Sequence, residues 1–354
     1  MAIDAPERSW LDPRKPTRVA EAPGPASVAR VMEEFEAAAA GNRLTQFQPM
    51  ATGFTPLDDI LNGGIRPGEL AVIGGPYGVG KTILALQMAR NVVLADERNR
   101  AMYVCYEHER AHLLSRLICL ESAEEGREVA LTLRKLAQLA LTPADHTGVV
   151  TLLQEDARYH PLLRRIEGYA DRLILAKASG AYTDLTEIRR WAESLQAEAG
   201  GHVLVVVDYL QKIPVNRDLL RTEDEITTFL THGLKDLALS EGIQVVAIAA
   251  ADRLGLQAQR MRLSDLRGSS ALQYETDIGL MLNSKYDIVS REHLIYNLSD
   301  AETMRGWVVL SVEKNRAGRH AVDMEFALDA SHFRILPQGD FVRERLVDGK
   351  AVLS

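Results

Sequence analysis

Eight consecutive residues, Gly75-Pro76-Tyr77-Gly78-Val79-Gly80-Lys81-Thr82, carry the densest chemistry in the chain. Their glycines let successive backbone N–H groups turn toward one centre, which side chains with a Cβ would obstruct, and such a concavity suits phosphate oxygens. Lys81 supplies a point charge for the β and γ phosphates and Thr82 a hydroxyl for Mg²⁺. A helix starting at this point adds its positive end. The flanks fit, since the apolar run Leu70 to Ile73 precedes the loop and the helix-like Ile83 to Arg90 follows it. Strand, complete GxxxxGK[ST] loop and helix in that order predict nucleotide phosphate binding, against the blander reading of a glycine-rich turn that holds nothing.

Two carboxylates stand where a partner for that loop is needed. The run Val203-Leu-Val-Val-Val-Asp208 reads as a buried strand ending in Asp208, which at the carboxyl end of a parallel sheet lies beside the loop and holds Mg²⁺ with Thr82. The run Met102 to Tyr106 ends at Glu107, at the same edge. Glu107 is a candidate to orient and deprotonate an attacking water, or a solvated glutamate opening the next helix; the residues alone leave both open. Cys105, His108, His112 and Cys119 have the types of a zinc site, but a helix through the last three turns Cys119 away from the histidines, and the zinc reading is set aside.

The elements that must position these groups alternate. Leu70 to Ile73, Met102 to Tyr106, Leu173 to Leu175, Val203 to Val207 and Val245 to Ala249 are short apolar runs separated by helix-like stretches, which predicts an α/β fold with a mostly parallel sheet. Glu121 to Arg172 reads as mostly helical, broken at Pro143, Gly148 and Pro161, while Trp307 to Glu313 and Ala321 to Leu328 read as strands near a sheet edge. Five prolines make residues 1–25 an extended or disordered arm, a candidate contact for a protein partner. Val28, Val31, Met32 and Phe35 then recur at helical spacing behind Ser27 as N-cap, with Gly41 as the stop, giving a short helix whose narrow apolar face must be covered by its own domain or by a neighbouring copy.

Across 354 residues, 46% hydrophobic content fits a chain that buries a core, and no apolar run approaches the roughly 20 residues a membrane span needs. With no signal-peptide layout and two cysteines, too few for a disulfide framework, a cytoplasmic setting is expected. The formal net charge of −8 argues against coating nucleic acid with the whole surface. Between Ala251 and Ser270 the sign reverses locally, with Arg253, Arg260, Arg262 and Arg267 against Asp252 and Asp265.

Taken together the motifs resemble the ATPase domain of DnaB-type replicative helicases, within the RecA-like P-loop class. The resemblance is carried by Thr52-Gly-Phe-Thr-Pro-Leu-Asp58 with Gly63-Gly64 and Pro67-Gly68-Glu69, by Asp208-Tyr-Leu-Gln211, by Ser264-Asp-Leu-Arg-Gly-Ser-Ser270 with Asp277, and by Lys314-Asn-Arg-Ala-Gly318. It implies ATP and Mg²⁺ as ligands, Glu107 as catalytic glutamate, Asp208 as the Mg²⁺-associated aspartate, and Lys314 and Arg316 as a finger pair reaching the neighbouring subunit's γ-phosphate. It further implies a hexameric ring and a loop, Arg267, Gly268 and Ser270, that tracks single-stranded DNA. The helix Ser27 to Ala40 matches the family's linker helix, and the expected division is an arm at 1–25, linker helix at 26–45, ATPase domain at 46–337 and a tail at 338–354.

Three departures from the family pattern qualify this. The N-terminal collar has no counterpart ahead of the helix, Ala249-Ala250 replaces a serine-glutamine pair associated with sensing the γ-phosphate, and few aromatic groups are available between Ala251 and Arg262 for base stacking. An assembly or scaffold ATPase acting on a protein partner, and a RadA- or KaiC-like ATPase, are the competing expectations.

Overall fold

Short runs of β-branched and aliphatic residues form the strands, and the longer periodic stretches between them form the helices. The computed structural model describes residues 24–41, 48–141, 148–216, 220, 222–253, 255–289 and 302–347, so nearly all of the expected arm and Pro143 lie outside the described residues. The first half runs α1 (Val28–Ala40), α2 (Leu57–Ile60), β1 (Leu70–Gly74), α3 (Lys81–Ala95), β2 (Arg100–Cys105), α4 (Arg110–Glu125), α5 (Leu133–Leu141), α6 (Val149–Glu155), α7 (His160–Glu167) and β3 (Leu173–Lys177). The second half runs α8 (Leu185–Glu198), β4 (Val203–Asp208), α9 (Glu223–Glu241), β5 (Gln244–Ile248), α10 (Ser269–Glu275), β6 (Ile278–Ser284), α11 (Lys285–Ile288), β7 (Trp307–Asn315), β8 (Val322–Asp329), β9 (Arg334–Ile335) and β10 (Asp340–Phe341).

One sheet organises all of this, in the order β10-β8-β7-β6-β1-β5-β4-β2-β3, with β9 joined to β8. From β6 to β3 every pairing is parallel, and from β6 outward through β7, β8 and β10 every pairing is antiparallel. Register aligns the carboxyl ends: Cys105 pairs with Asp208, and Asp208 and Ile73 both pair with Ile248. The loops leaving β1, β2, β4 and β5 therefore emerge side by side, which is where ligands bind in open parallel sheets.

Alternation along each strand divides the core into two layers. Ala71, Ile73, Leu204 and Val206 pack on one face against Leu84, Met88 and Val92 of α3, while Leu70, Val72, Val203, Val205 and Val207 pack on the other against Ile188 of α8 and Leu230, Leu234 and Leu237 of α9. A satellite core of Ile118, Leu131, Leu136, Leu153, Leu162 and Leu163 ties α4 to α5, α6 and α7. The Thr52 to Asp58 motif braces this frame: Asp58 accepts from the Thr52 and Gly53 backbone N–H groups, and Asn91 of α3 donates to the Thr52 carbonyl at 3.0 Å.

Helix α1 forms where the spacing places it, with the Ser27 hydroxyl accepting from Arg30 N and the Gly41 N–H donating to the Ala37 carbonyl. Its apolar face stays in solvent, Val28 being 78% and Met32 63% exposed. Four readings need correction. Ile278–Ser284, absent from the expected strands, is a buried strand, parallel to β1 and antiparallel to β7; its apolar run is interrupted by polar Asn283, whose side chain is spent pairing with the Met261 backbone. Pro161 does not break a helix but sits in the first turn of α7, where its missing N–H costs nothing. Residues 338–347, expected as a tail, continue the sheet edge: Asp340 and Phe341 pair with β8, and Val347 N–H donates to the Ile288 carbonyl at 2.8 Å. Arg260, counted with the basic stretch, is buried and ion-paired to Asp323, so its charge is used in the core.

Candidate active site

β1 ends at Gly74, and the next residues curl before α3 begins at Lys81. Glycine is required here for two different reasons. At Gly75, with φ +145°, an added Cβ would lie 2.1 Å from the Leu282 carbonyl oxygen, so the loop presses against β6; Gly78 has open space but φ +73°, which L residues rarely adopt. Lys81 folds back over the loop and donates to the carbonyls of Gly75 at 2.8 Å and Pro76 at 2.7 Å. Burial lowers the Lys81 pKa, against the opposing pull of Asp208 and Glu107.

Asp208 is the fixed point of the site. It is 2% exposed, and its Oδ2 accepts from the Thr82 hydroxyl at 2.9 Å and from the Tyr103 hydroxyl at 2.8 Å. The structure thus brings together the metal-ligating pair expected from sequence, on the ends of β4 and α3. Tyr103 was not expected: it lies inside an apolar strand and nothing in its spacing marks it. Burial and the neighbouring carboxylate hold its phenol well above the usual range, so it serves Asp208 as a donor. A Thr82 hydroxyl and an Asp208 carboxylate in contact offer the oxygen ligands and the open surroundings that Mg²⁺ prefers.

A cleft of about 300 Å³ opens over these groups, lined by Gly75, Lys81, Thr82, Glu107, Asp208 and Ala249 to Ala251, with Arg116 and Phe333 on its far side. Glu107 lies in the loop after β2, exposed at the cleft and facing the P-loop across it. Arg116 is the second residue that sequence reasoning missed. Its Nη2 contacts His108 Nε2 at 3.1 Å and its guanidinium stacks on the Phe333 ring at 5.2 Å. Guanidinium can only donate, so His108 must be neutral and accepting at Nε2. Cys105, by contrast, is buried and its Sγ accepts from the His108 backbone N–H at 3.3 Å.

Lys314 and Arg316 do not line this cleft. They project at the end of β7, where Lys314 Nζ donates to the carbonyls of Gln273 and Tyr274, and Arg316 donates to the Tyr274 carbonyl and lies 3.4 Å from Asp277. Arg316 remains 51% exposed. Arg267 is exposed near Glu223 at 3.3 Å, Gly268 holds φ +72° against Thr227, and Ser270 is exposed in the first turn of α10.

A P-loop between strand and helix, an aspartate on the adjoining strand end and a glutamate across the cleft, all on one mostly parallel sheet, define a RecA-like P-loop nucleotide-binding domain. More narrowly, residues 49–335 match the family described as DnaB-like helicase C terminal domain, and the chain belongs to that family. It is 26% identical over 234 residues to the replicative DNA helicase DnaB of Leifsonia xyli subsp. xyli (strain CTCB07), covering 66% of this chain and 46% of the relative. With the replicative DNA helicase DnaB of Geobacillus stearothermophilus it shares 27% identity over 239 residues, 67% of this chain and 47% of the relative. The chain thus spans about half the length of these curated relatives. A DNA repair protein RadA from Mycobacterium tuberculosis (strain CDC 1551 / Oshkosh) matches less of it, at 27% identity over 167 residues, 47% of this chain and 32% of the relative. Among solved structures, an isolated ATPase domain superposes with a TM-score of 0.65 at 21% identity, covering 87% of this chain and 96% of that one. A DnaB-like replicative helicase gives 0.63 at 19%, covering 88% and 67%. No helix among the described residues is long and apolar enough to cross a membrane.

Proposed function

We propose that this chain is an ATP- and Mg²⁺-dependent motor domain that assembles head to tail into a ring, probed most simply as a hexamer, and acts on single-stranded DNA. The observation that carries the reading is the separation of parts: Lys81, Thr82, Glu107 and Asp208 share one cleft, while the paired cations Lys314 and Arg316 stand outside it, with Arg316 half exposed. Cations supplied by a neighbour stabilise charge on the transferring phosphoryl group only in the assembled ring, which makes hydrolysis depend on assembly. In this reading Glu107 orients water, Thr82 and Asp208 hold Mg²⁺, and the Gly75 to Thr82 loop cradles the phosphates.

The exposed Val28, Val31 and Met32 face of α1 supports docking of this linker helix on an adjacent subunit. Arg267, Gly268 and Ser270 form the DNA-tracking loop. Backbone contact is the mode assigned to it, since few aromatic groups are available for stacking; Arg260 is consumed in the core and Arg262 pairs with the largely buried Glu313, whereas the pair of Arg267 with Glu223 is a surface one that phosphate can displace. The test is the ATP hydrolysis rate with and without single-stranded DNA, using Lys81→Ala as background. Stimulation by DNA whose affinity falls steeply with salt, and falls again in Arg267→Ala, is the expected result. Hydrolysis indifferent to DNA would replace this reading with an assembly ATPase acting on protein, which the acidic balance and Ala249-Ala250 favour.

A further inference from the structure

Gln211 lies three residues beyond Asp208, in the short turn that leaves β4, and its carboxamide joins two segments distant in sequence. Its Oε1 accepts from the Ala250 N–H at 2.9 Å and its Nε2 donates to the Arg267 carbonyl at 3.3 Å. The same two segments also pair through backbone: Arg267 N–H donates to the Ala250 carbonyl at 3.0 Å, Asp252 N–H donates to the Asp265 carbonyl at 2.9 Å, and Ala251 bridges Leu266 in antiparallel sense. On its other side the strip Ala249 to Ala251 lines the nucleotide cleft. A single thickness of backbone therefore separates the cleft from the segment carrying Arg267, and Gln211 ties both to the turn after Asp208.

The chemistry of this strip restricts how a change in the cleft can cross it. Alanine side chains carry no group that hydrogen-bonds a phosphate or a water, so within this strip a signal from nucleotide to loop travels by displacement of the 249–251 backbone. Gln211 makes that displacement directional, because its donor and acceptor engage opposite sides of the pairing, and turning the amide over would set N–H against N–H and oxygen against oxygen. We propose that Gln211 is a positioning residue that transmits the occupancy of the cleft to the Arg267 loop through the 249–251 backbone. The inference rests on the reading that the cleft binds ATP, and does not require that the loop binds DNA.

The experiment is hydrogen exchange of the full chain, followed in peptides covering residues 259–270, with and without a non-hydrolysable ATP analogue. Wild type is compared with Gln211→Glu, which keeps the acceptor for Ala250 N–H but sets a carboxylate against the Arg267 carbonyl, and with Gln211→Met, which removes both bonds at similar volume. Analogue binding, read by displacement of a fluorescent nucleotide, is expected to stay within about threefold of wild type, a change of under one kcal/mol. Protection of 259–270 on analogue binding is expected in wild type and lost in both variants. A purely structural role would slow or speed exchange equally with and without analogue, and would not remove the difference. Should Gln211→Met fail to fold, Gln211→Glu carries the comparison. A loop in wild type that ignores bound analogue, or variants that respond as wild type does, overturns the inference alone. An analogue that does not bind wild type overturns the ATP reading and this inference with it.

Discussion

Replacing Arg316 by alanine separates what this side chain does for its own subunit from what it does for a neighbour. Within the protomer it donates to the Tyr274 carbonyl and lies 3.4 Å from Asp277 while half exposed, an arrangement worth about 0–1 kcal/mol. Asp277 is left satisfied by Lys235 at 2.7 Å and by the Leu70 N–H at 2.8 Å, so no buried charge is orphaned. Stability should therefore hold. If Arg316 completes the next subunit's site, its loss should slow turnover by about 10³ to 10⁵, or about 4–7 kcal/mol of transition-state stabilisation. The decisive assay mixes two inactive variants, Arg316→Ala and Glu107→Gln. In a head-to-tail ring, a site is whole wherever the P-loop of an Arg316→Ala subunit meets the finger of a Glu107→Gln subunit, which is about a quarter of interfaces at equal random mixing. Turnover should reappear on mixing. Full activity in Arg316→Ala alone, or no recovery in mixtures shown to exchange subunits, would refute the shared-site argument.

Other consequences follow from groups further inside. Glu121 is fully buried and accepts from Arg90 at 2.6 and 2.7 Å and from the Tyr169 hydroxyl at 2.9 Å. Because Arg90 also pairs with Glu124, Glu121→Leu should destabilise by about 1–3 kcal/mol in urea unfolding, chiefly by leaving the Tyr169 hydroxyl without its acceptor, while Arg90→Met with Glu121→Leu should recover part of it; equal costs for the single and double variants would contradict this. Burial first and Arg116 second hold His108 below its usual pKa of 6.5, against Asp208 and Glu107, with His112 adding a smaller push downward. Because the unfolded chain then binds the proton more readily, this contribution to stability is present above pH 6.5 and is lost as pH falls through the folded pKa. Protonation of His108 ends its acceptance from Arg116 beside the cleft, so hydrolysis should show an acid limb, and His108→Gln, which retains an acceptor for Arg116, should flatten it; an unchanged pH profile would remove His108 from the account. Gly75→Ala places a Cβ 2.1 Å from the Leu282 carbonyl and should abolish nucleotide binding measured by fluorescence titration, whereas retained binding would mean that β6 yields easily.

How much of this was legible in the sequence depended on whether the signal was local. The P-loop, Asp208 and α1 were, since glycine spacing, an apolar run ending in a carboxylate and a capped amphipathic turn are each complete within about a dozen residues. Tyr103, Arg116 and Phe333 were not. Each takes its role from a partner more than a hundred residues away or, for Arg116 and His108, from the geometry of a helix entrance that periodicity does not specify. Strand β6 was hidden for a related reason. Gly279 and Asn283 interrupt its apolar pattern, yet the first lies where a Cβ would meet Leu263 at 2.9 Å and the second pairs with the Met261 backbone, so both are packing requirements of the segment that precedes α10.

That segment also joins the Arg267 loop to the Lys314 and Arg316 side chains. Helix α10 spans only seven residues, with Arg267 and Gly268 leading into it and Gln273 and Tyr274 near its end. At the first end the backbone is fixed by Ala250, Gln211 and the close fit of Gly268 against Thr227. At the second, the Gln273 and Tyr274 carbonyls hold Lys314 and Arg316. A helix of two turns is too short to bend appreciably, so displacing the Arg267 end would move the carbonyls that hold Lys314 and Arg316. On the proposed reading, motion of the Arg267 loop and release of Lys314 and Arg316 toward a neighbour would be coupled through this one short element.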